Sequence, residues 1–314
     1  MTRKFLLNAS ILLLITGALY LSIFWALSTI QFGGTSLIDR CSDYLNWKGG
    51  NSYRKFQDFD HASHYDVVFI GSSHAYRGYD PGIFQQRGYR SFNLGTSAQS
   101  PMNSYYILTN YITRANTRLV LLDTYEAALE MDGLESTADL TQNISSDRAA
   151  VGMALALQDP RGINMLTLRL FRNHAPVMFA DTNYLPGGSS MNTDSVKGRI
   201  HYKVGKPLKM HERQQRYVHR FLQHCQDESI PVVLVSHPYP KQADSAKHEA
   251  FTRWLRAAVP PLGFPVYDFA FGHGLPLDDR DHFYDHNHLN RAGVEIFNTF
   301  LIDRLEEDGV LRRE

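Results

Sequence analysis

An uncharged stretch near the N-terminus sets the strongest constraint on this chain. Residues 5–30 contain no charge, and a helix over that range, rising about 1.5 Å per residue, is longer than the roughly 30 Å hydrocarbon core of a bilayer. Arg3 and Lys4 precede it, and basic residues favour the cytoplasmic side of a membrane. We therefore predict a single-pass anchor in residues 1–30, in an inner or plasma membrane, with a cytoplasmic N-terminus and the remaining chain periplasmic or extracellular.

A cleaved signal peptide is the alternative for this stretch. The apolar part of a signal peptide usually has about 7–15 residues and ends at small residues. Here the apolar stretch is longer, and the bulky Phe24, Trp25 and Leu27 lie near its end. We therefore favour an uncleaved anchor over a cleaved signal peptide or a buried core helix.

The charge balance excludes several classes of protein. The chain has 32 Lys and Arg against 32 Asp and Glu, so its formal net charge is zero. A nucleic-acid partner would normally require a basic excess, and a disordered protein a large charge of one sign. Since 43% of the residues are hydrophobic, we expect a packed core. Cys41 and Cys225 match no zinc or redox spacing, and we expect two unrelated thiols.

Short apolar stretches alternate with helix-like stretches after residue 64. A parallel sheet that is covered by helices on both faces produces this alternation, because its strands are buried on both sides. We predict an α/β protein, a three-layer α/β/α sandwich with a mostly parallel five-stranded sheet. The predicted strands are 65–70, 91–94, 119–122, 230–235 and 264–267.

The same pattern predicts the domain organisation. Residues 31–64 are mixed and polar, and we expect a juxtamembrane connector there with little regular core. The domain proper is predicted at 65–314 and ends in an amphipathic helix from Arg291 to about Glu307. No single period runs through residues 124–210, which we interpret as an insertion that decorates the sheet.

The first predicted strand ends in Gly71-Ser72-Ser73-His74. Functional groups gather at the carboxyl ends of parallel strands, and a serine that also starts a helix there is well placed to act as a nucleophile. An ordinary turn followed by a helix cap explains the same residues. The G-x-S-x-G nucleophile motif and the phosphate-binding loop are both absent, so nothing predicts a cofactor.

A second polar segment lies just before the terminal helix. It contains Asp285 and, three residues later, His288. A nucleophilic serine needs a base that takes its proton and a carboxylate that orients the base. If the terminal helix packs beside the first strand, Ser73, His288 and Asp285 supply all three groups.

These blocks resemble the SGNH (GDSL-type) hydrolases, which have a flavodoxin-like sheet. Gly71-Ser72-Ser73 matches the nucleophile block, Phe92-Asn93-Leu94-Gly95 the second block, and Asp285-His286-Asn287-His288 the last block. The resemblance implies Ser73 as the nucleophile, His288 as the base and Asp285 as its orienting carboxylate. It also implies that the N–H groups of Ser73 and Gly95 bind the oxyanion.

The third block departs from the family pattern. Where the family has Gly-x-Asn-Asp, this chain has Asp123-Thr124-Tyr125-Glu126, without the asparagine. Loss of one oxyanion donor typically costs about 2.7–4 kcal/mol of transition-state stabilisation. Either Thr124, Tyr125 or another group replaces the asparagine, or hydrolysis is slow.

An anchor followed by an outward-facing domain of this type is similar to proteins that modify envelope polymers, such as the D-alanyl transfer protein of teichoic acids and the alginate O-acetylation proteins. The resemblance implies an acyl-serine at Ser73, transfer of the acyl group to a sugar hydroxyl or to water, and a multi-spanning membrane-bound O-acyltransferase as a partner. The substrates would be a cell-envelope glycan and an acyl donor, with acetyl as the favoured acyl group.

Further polar residues near the predicted edge have two interpretations each. His74, Arg77 and His237 could contact substrate, or they could be solvated helix-start and turn residues. A divalent-metal site is the alternative for the segment that holds Asp285 and His288, but it leaves Ser73 unexplained. Two functions therefore remain in competition: an anchored serine O-acyltransferase or esterase, and a non-catalytic partner that binds glycan or docks on an acyltransferase.

Overall fold

The computed structural model describes residues 2–42, 44–45, 50–171, 183–196, 207–272 and 274–313. The strands are β1 (Gln31–Phe32), β2 (Thr35–Ser36), β3 (Tyr65–Ile70), β4 (Ser91–Asn93), β5 (Thr117–Asp123), β6 (Val232–Ser236) and β7 (Val266–Asp268). The helices are α1 (Thr2–Thr29), α2 (Leu37–Cys41), α3 (Gly50–Asp58), α4 (Ser73–Gly78), α5 (Pro81–Gln86), α6 (Pro101–Tyr111), α7 (Glu126–Glu130), α8 (Leu134–Asn143), α9 (Asp147–Ala156), α10 (Arg161–Phe171), α11 (Glu212–Asp227), α12 (Ala246–Ala258) and α13 (Arg291–Glu307), with a 3₁₀ turn at Pro260–Leu262.

The five strands of the main sheet are all parallel and lie in the order β4-β3-β5-β6-β7. The predicted fold class, with its flavodoxin-like sheet, is therefore confirmed. Strand β4 lies on one side of β3 in the sheet, and the next strand along the chain, β5, lies on the other side of β3. A crevice forms at the carboxyl ends of the strands where the order reverses in this way, which is where Gly71 and Asp123 lie.

Strand side chains alternate between two cores. Val67, Phe69 and Leu121 pack with Phe297 and Leu301 of α13 on one face of the sheet. On that face Asn298 donates to the Gly78 carbonyl (2.7 Å) and accepts from the Asp80 N–H (2.8 Å). These two hydrogen bonds hold the terminal helix α13 beside α4. This is the packing that the sequence analysis required for Ser73 to lie near Asp285 and His288. The opposite face is covered by α6, α11 and α12.

Residues 31–64 differ from our expectation of little regular core. They form α2, α3 and a small antiparallel ribbon of β1 and β2. Phe56 and Phe59 are buried in the core beside the sheet, and Lys55 is 1% exposed with its Nζ donating to the Gly95 carbonyl. The polar composition of these residues gave no indication of a core contribution, because a short helix needs only one apolar face to pack against the core.

The predicted insertion at 124–210 contains four helices, α7 to α10, while residues 172–182 and 197–206 lie outside the described residues. Asn103 of α6 accepts from the Ser136 hydroxyl of α8 at 2.6 Å and donates to Thr137 at 3.0 Å. These helices therefore pack on the helical layer of the domain.

The N-terminal helix α1 is long and apolar enough to cross a membrane, with a mean hydropathy of 2.1 over its most apolar window. Membrane anchors and signal sequences both have helices of this length and composition. Both cysteines are free thiols, Cys41 exposed and Cys225 buried, which agrees with the expectation of two unrelated groups.

Candidate active site

The candidate nucleophile Ser73 is the first residue of α4 and directly follows the loop after β3. The Ser72 side chain caps the helix by accepting from the His74 N–H. Gly71 is required by close packing, because a Cβ atom there would lie 2.7 Å from the Cβ of Asp123. The backbone of the loop at Gly71 and Ser72, which we call the nucleophile loop, therefore packs directly against the end of β5.

The structure brings Ser73, His288 and Asp285 together in one chain of hydrogen bonds. The Nε2 atom of His288 lies 2.8 Å from the Ser73 Oγ. Its Nδ1 atom lies 2.8 and 3.0 Å from the two carboxylate oxygens of Asp285. The order carboxylate, imidazole, hydroxyl is the arrangement that activates a serine.

Asp285 is fixed as an ionised carboxylate. Its Oδ1 atom also accepts the backbone N–H groups of Asn287 (2.9 Å) and His288 (2.8 Å). Burial alone would favour the neutral acid, but the hydrogen bond and charge of His288 outweigh burial and, with these backbone donors, hold the pKa of Asp285 well below its usual range. Asp285 therefore accepts the Nδ1–H of His288 and selects the tautomer whose Nε2 is free to take the serine proton.

The imidazole of His288 is held between two other rings. His74 stacks on one side with a centroid separation of 4.7 Å, and Tyr284 on the other at 5.4 Å. The Arg77 guanidinium lies over the Tyr284 ring, 5.1 Å from its centroid, and donates to the Tyr76 hydroxyl at 2.9 Å. Arg77 thus supports this stack, and its guanidinium is only partly buried.

His74 does not lie on the surface, contrary to both interpretations of this residue from the sequence. It is 2% exposed, and its Nε2 donates to the Asn287 carbonyl at 2.8 Å. Burial, followed by the neighbouring His288 and His237, lowers the pKa of His74 well below its usual value, so the ring is neutral. The structure places His74 against the imidazole of His288.

His237 also differs from expectation, since it is 5% exposed and lies under the site. Burial lowers its pKa to about 3. Its Nε2 lies 3.9 Å from Asp123 and has no hydrogen-bond partner in the described part of the chain. A Cβ on Gly78 would collide with this ring at 1.6 Å, so the imidazole fills a space that α4 leaves open.

The two predicted oxyanion donors are in different states. We find no acceptor for the Ser73 N–H among the described residues. The Gly95 N–H, in contrast, donates to the Asn93 side chain at 3.0 Å. Gly95 can bind an oxyanion only if Asn93 gives up this hydrogen bond.

The third block separates into two roles. Thr124 is tied to β6, with its hydroxyl 2.8 Å from the Ser236 hydroxyl and 3.1 Å from the Val235 carbonyl. Tyr125 points to the catalytic loop, where its hydroxyl accepts from Asn287 at 3.0 Å and its ring meets the edge of His74 at 4.0 Å. Of the two candidates, Tyr125 is the one that contacts the segment between Asp285 and His288.

Asn287 and Tyr284 were missed by the sequence analysis. Asn287 bonds to Asp285, His74 and Tyr125 through its N–H, its carbonyl and its side-chain amide, respectively. Its position inside the Asp-x-x-His segment was the one available signal. Tyr284 gave no signal, because its stacking on His288 depends on how the loop folds back.

A mostly apolar cavity is lined in part by the nucleophile loop. It has an empty volume of about 480 Å³, with open solvent at its mouth included. Its lining includes Gly71, Ser72 and Tyr125, and it is otherwise mainly apolar, with Leu122, Leu129, Phe221, Phe251, Trp254 and Leu255. Ser72, the residue before Ser73, belongs to this lining, so the cavity adjoins the nucleophile loop.

The alternative of a metal site receives no support from the side-chain placement. Among the described residues, no three His, Cys, Asp or Glu side chains converge as metal ligands. His288 is engaged by Ser73 and Asp285, and the His282 Nδ1 accepts from the Asp278 N–H at 2.8 Å.

Several solved structures are similar to this chain. A GDSL-like lipase from Bacteroides thetaiotaomicron is 10% identical over 77% of this chain and 88% of its own, with a TM-score of 0.40. An acetylxylan esterase from Geobacillus stearothermophilus is 9% identical over 78% and 95%, with a TM-score of 0.41. A lipase/acylhydrolase from Enterococcus faecalis is 10% identical over 79% and 98%, with a TM-score of 0.39.

No protein-family model matches the sequence, and no curated protein does either. The TM-scores of these solved structures are all below 0.5, and their similarity to this chain carries no functional conclusion.

Proposed function

We propose that this protein is a membrane-anchored serine esterase or O-acyltransferase that acts on acyl esters of cell-envelope polysaccharide outside the cytoplasm. The observation that carries the proposal is the hydrogen-bond chain from Asp285 through His288 to the Ser73 hydroxyl. A serine in an ordinary turn has no need of a base that is itself oriented by an ionised carboxylate.

The geometry supports a two-step transfer. His288 Nε2 takes the Ser73 proton while Oγ attacks the acyl carbonyl. The Ser73 N–H, for which we find no acceptor in the described part of the chain, then donates to the developing oxyanion. The tetrahedral intermediate collapses when His288 returns the proton to the leaving alcohol. His288 then removes a proton from water or a sugar hydroxyl, which attacks the acyl-serine. The bond between the acyl group and Ser73 breaks as His288 gives that proton to the Ser73 Oγ.

The contacts of α1 support an anchor that stays attached. Phe24 of α1 is 9% exposed and packs among Met165 and Leu168 of α10, and the Tyr20 hydroxyl donates to Asn164 at 2.8 Å. A segment that is removed during export would leave these groups without partners. The domain is thereby held at the membrane, where envelope polymers and a multi-spanning acyltransferase would be within reach.

A non-catalytic binding partner is the second candidate. It is favoured by the missing asparagine of the third block and by the engagement of the Gly95 N–H with Asn93. In that case the cleft would bind a glycan or an acyltransferase without turnover.

The deciding experiment treats the full chain, folded in detergent micelles, with a serine-reactive fluorophosphonate and locates the adduct by mass spectrometry. We expect an adduct on Ser73 that is lost in His288→Ala and kept in Ser97→Ala, a matched change at an exposed serine of the neighbouring loop. A folded protein that gives no adduct would favour the binding partner. Acetyl release from an acetyl ester, with and without a polysaccharide acceptor, then separates hydrolysis from transfer.

A further inference from the structure

Helix α10 of the domain is attached to the outer half of α1. The Tyr20 hydroxyl donates to Asn164 and lies 3.1 Å from the Thr167 hydroxyl, and Phe24 packs against the same helix. These are side-chain contacts between the predicted membrane span and a helix of the domain that follows it. The depth of Tyr20 in the bilayer therefore sets the depth of α10.

Tyr20 lies within the hydrocarbon for every placement of the span. Arg3 and Lys4 keep the hydrocarbon from starting before Phe5, and the rise from Phe5 to Tyr20 is about 22 Å, against a core of roughly 30 Å. A later start, or a tilt of the helix, places Tyr20 deeper still. Since an unpaired hydroxyl is costly in hydrocarbon, the hydrogen bond from Tyr20 to Asn164 is suited to that depth.

The face of α10 that meets Tyr20 also carries exposed apolar side chains. Ile163 is 62% and Leu170 is 76% exposed. Positions 163, 167 and 170 follow the i, i+4, i+7 spacing of one helix face, and Thr167 is the contact of Tyr20. The adjoining helix α9 exposes Leu155 (68%) and, one turn earlier, Val151 (43%).

We propose that α9 and α10 bind the lipid surface beside α1, with Ile163 and Leu170 in contact with the acyl chains of the outer leaflet. The inference rests on the proposed span, and it adds a second contact between the domain and the bilayer. Exposed apolar helix faces that continue a membrane helix are suited to the boundary between headgroups and acyl chains.

The charges on these helices are compatible with that position. Arg169 is 13% exposed and pairs with Asp147 at 2.7 Å while donating to the Thr141 carbonyl. Arg161 forms a two-pronged pair with Asp159. Paired or long basic side chains at a helix end reach the headgroup region without removing the apolar face from lipid.

The consequence is a fixed orientation of the domain. A single anchor with a flexible connector would let the active site sample many heights above the membrane. Helix α8 joins α10 to the domain through Gln142, which donates to the Met165 carbonyl at 2.9 Å. With α10 seated in the interface, the edge that carries Ser73 stays at a constant distance from the bilayer.

The test places an environment-sensitive fluorophore on single cysteines of the full chain in phosphatidylcholine vesicles that contain nitroxide-labelled acyl chains. The variants are Ile163→Cys and Leu170→Cys, made in a Cys41→Ser background because Cys225 is buried. Gln226→Cys, at an exposed position of α11, is the aqueous control, and Ile11→Cys in α1 reports on the span. We expect blue-shifted emission and nitroxide quenching at 163 and 170, comparable with position 11, and neither at 226.

Three results would overturn the proposal, and they differ from one another. If 163 and 170 behave like 226 while 11 is quenched, the span stands and the lipid contact is wrong. If the label at 163 is blue-shifted but not quenched, protein such as a second copy covers this face. If position 11 is not quenched, the span fails and the lipid contact fails with it.

Discussion

His74 lies face to face with His288, with ring centroids 4.7 Å apart and an interplanar angle of 26°. One imidazole is buried and kept neutral, and the other joins Ser73 to Asp285. Two positively charged rings at this separation would repel each other. The burial of His74 therefore lets His288 accept a proton during the reaction without a charged neighbour behind it.

Replacing His74 tests this positioning role. His74→Phe keeps the stacking but loses the hydrogen bond to the Asn287 carbonyl, and His74→Ala loses both. Since small misplacements of a catalytic group cost up to about 10²-fold in rate, we expect a loss of about tenfold for Phe and about a hundredfold for Ala in the rate of Ser73 phosphonylation. Equal rates in both variants and the wild type, with circular dichroism unchanged, would contradict the role.

Asp285→Asn tests the orientation of the base. The amide would preserve the shape of the loop but would not hold the Nδ1–H tautomer, so we expect a fall in kcat of roughly 10⁴-fold with a small change in KM. Because the pKa of Asp285 is held well below its usual range, it stays ionised at every pH above about 4, so the acid limb of the wild-type profile should not come from this carboxylate. Exposed Asp281→Asn is the matched control, read out by ester hydrolysis.

The sequence predicted those features that short segments encode. The strands β3 and β5 are buried on both faces and therefore appear in the sequence as apolar runs. Ser73 and His288 each lie in a short local motif, and the parallel strand order places the Ser73 motif at the carboxyl edge of the sheet. The two motifs come together because α13 packs beside α4, and the hydrogen bond from Asn298 to the Gly78 carbonyl stabilises this packing.

The features that sequence analysis missed depend on contacts between distant segments. Lys55 is polar in the sequence but fully buried against Gly95, forty residues later. The Gly95 N–H donates to the Asn93 side chain, and His74 is buried against His288. Both contacts arise from side-chain packing, which the hydrophobic periodicity of a sequence does not predict.

Tyr125→Phe tests the group that stands where an asparagine is expected. The Tyr125 hydroxyl already accepts from Asn287, so its own proton remains available to a developing oxyanion. Loss of an oxyanion donor lowers kcat by about 10²–10³-fold, and we expect a decrease in that range for Phe with KM nearly unchanged. Tyr105→Phe, on the helical layer, is the control variant. An unchanged kcat in Tyr125→Phe would assign the hydroxyl to holding Asn287 alone.

Asp123 makes stability depend on pH. Burial raises its pKa to about 8, and the Tyr79 hydroxyl donates to it at 3.0 Å. The folded carboxyl therefore keeps its proton from about pH 4 to pH 8, where the unfolded one has lost it. The folded state binds more protons in this window, so this group lowers the free energy of unfolding as pH rises, by up to about 1.4 kcal/mol per pH unit.

We expect Asp123→Asn to remove this decrease in the free energy of unfolding with rising pH, because the amide does not ionise. Urea unfolding of the full chain in micelles, followed by circular dichroism, should show a variant that gains stability over the wild type between pH 5 and pH 8, by an amount that increases with pH. Exposed Asp227→Asn is the matched surface control. Parallel curves for Asp123→Asn and the wild type would mean that Asp123 ionises in the folded protein as it does in the unfolded chain, with His237 at 3.9 Å as the group able to compensate its charge.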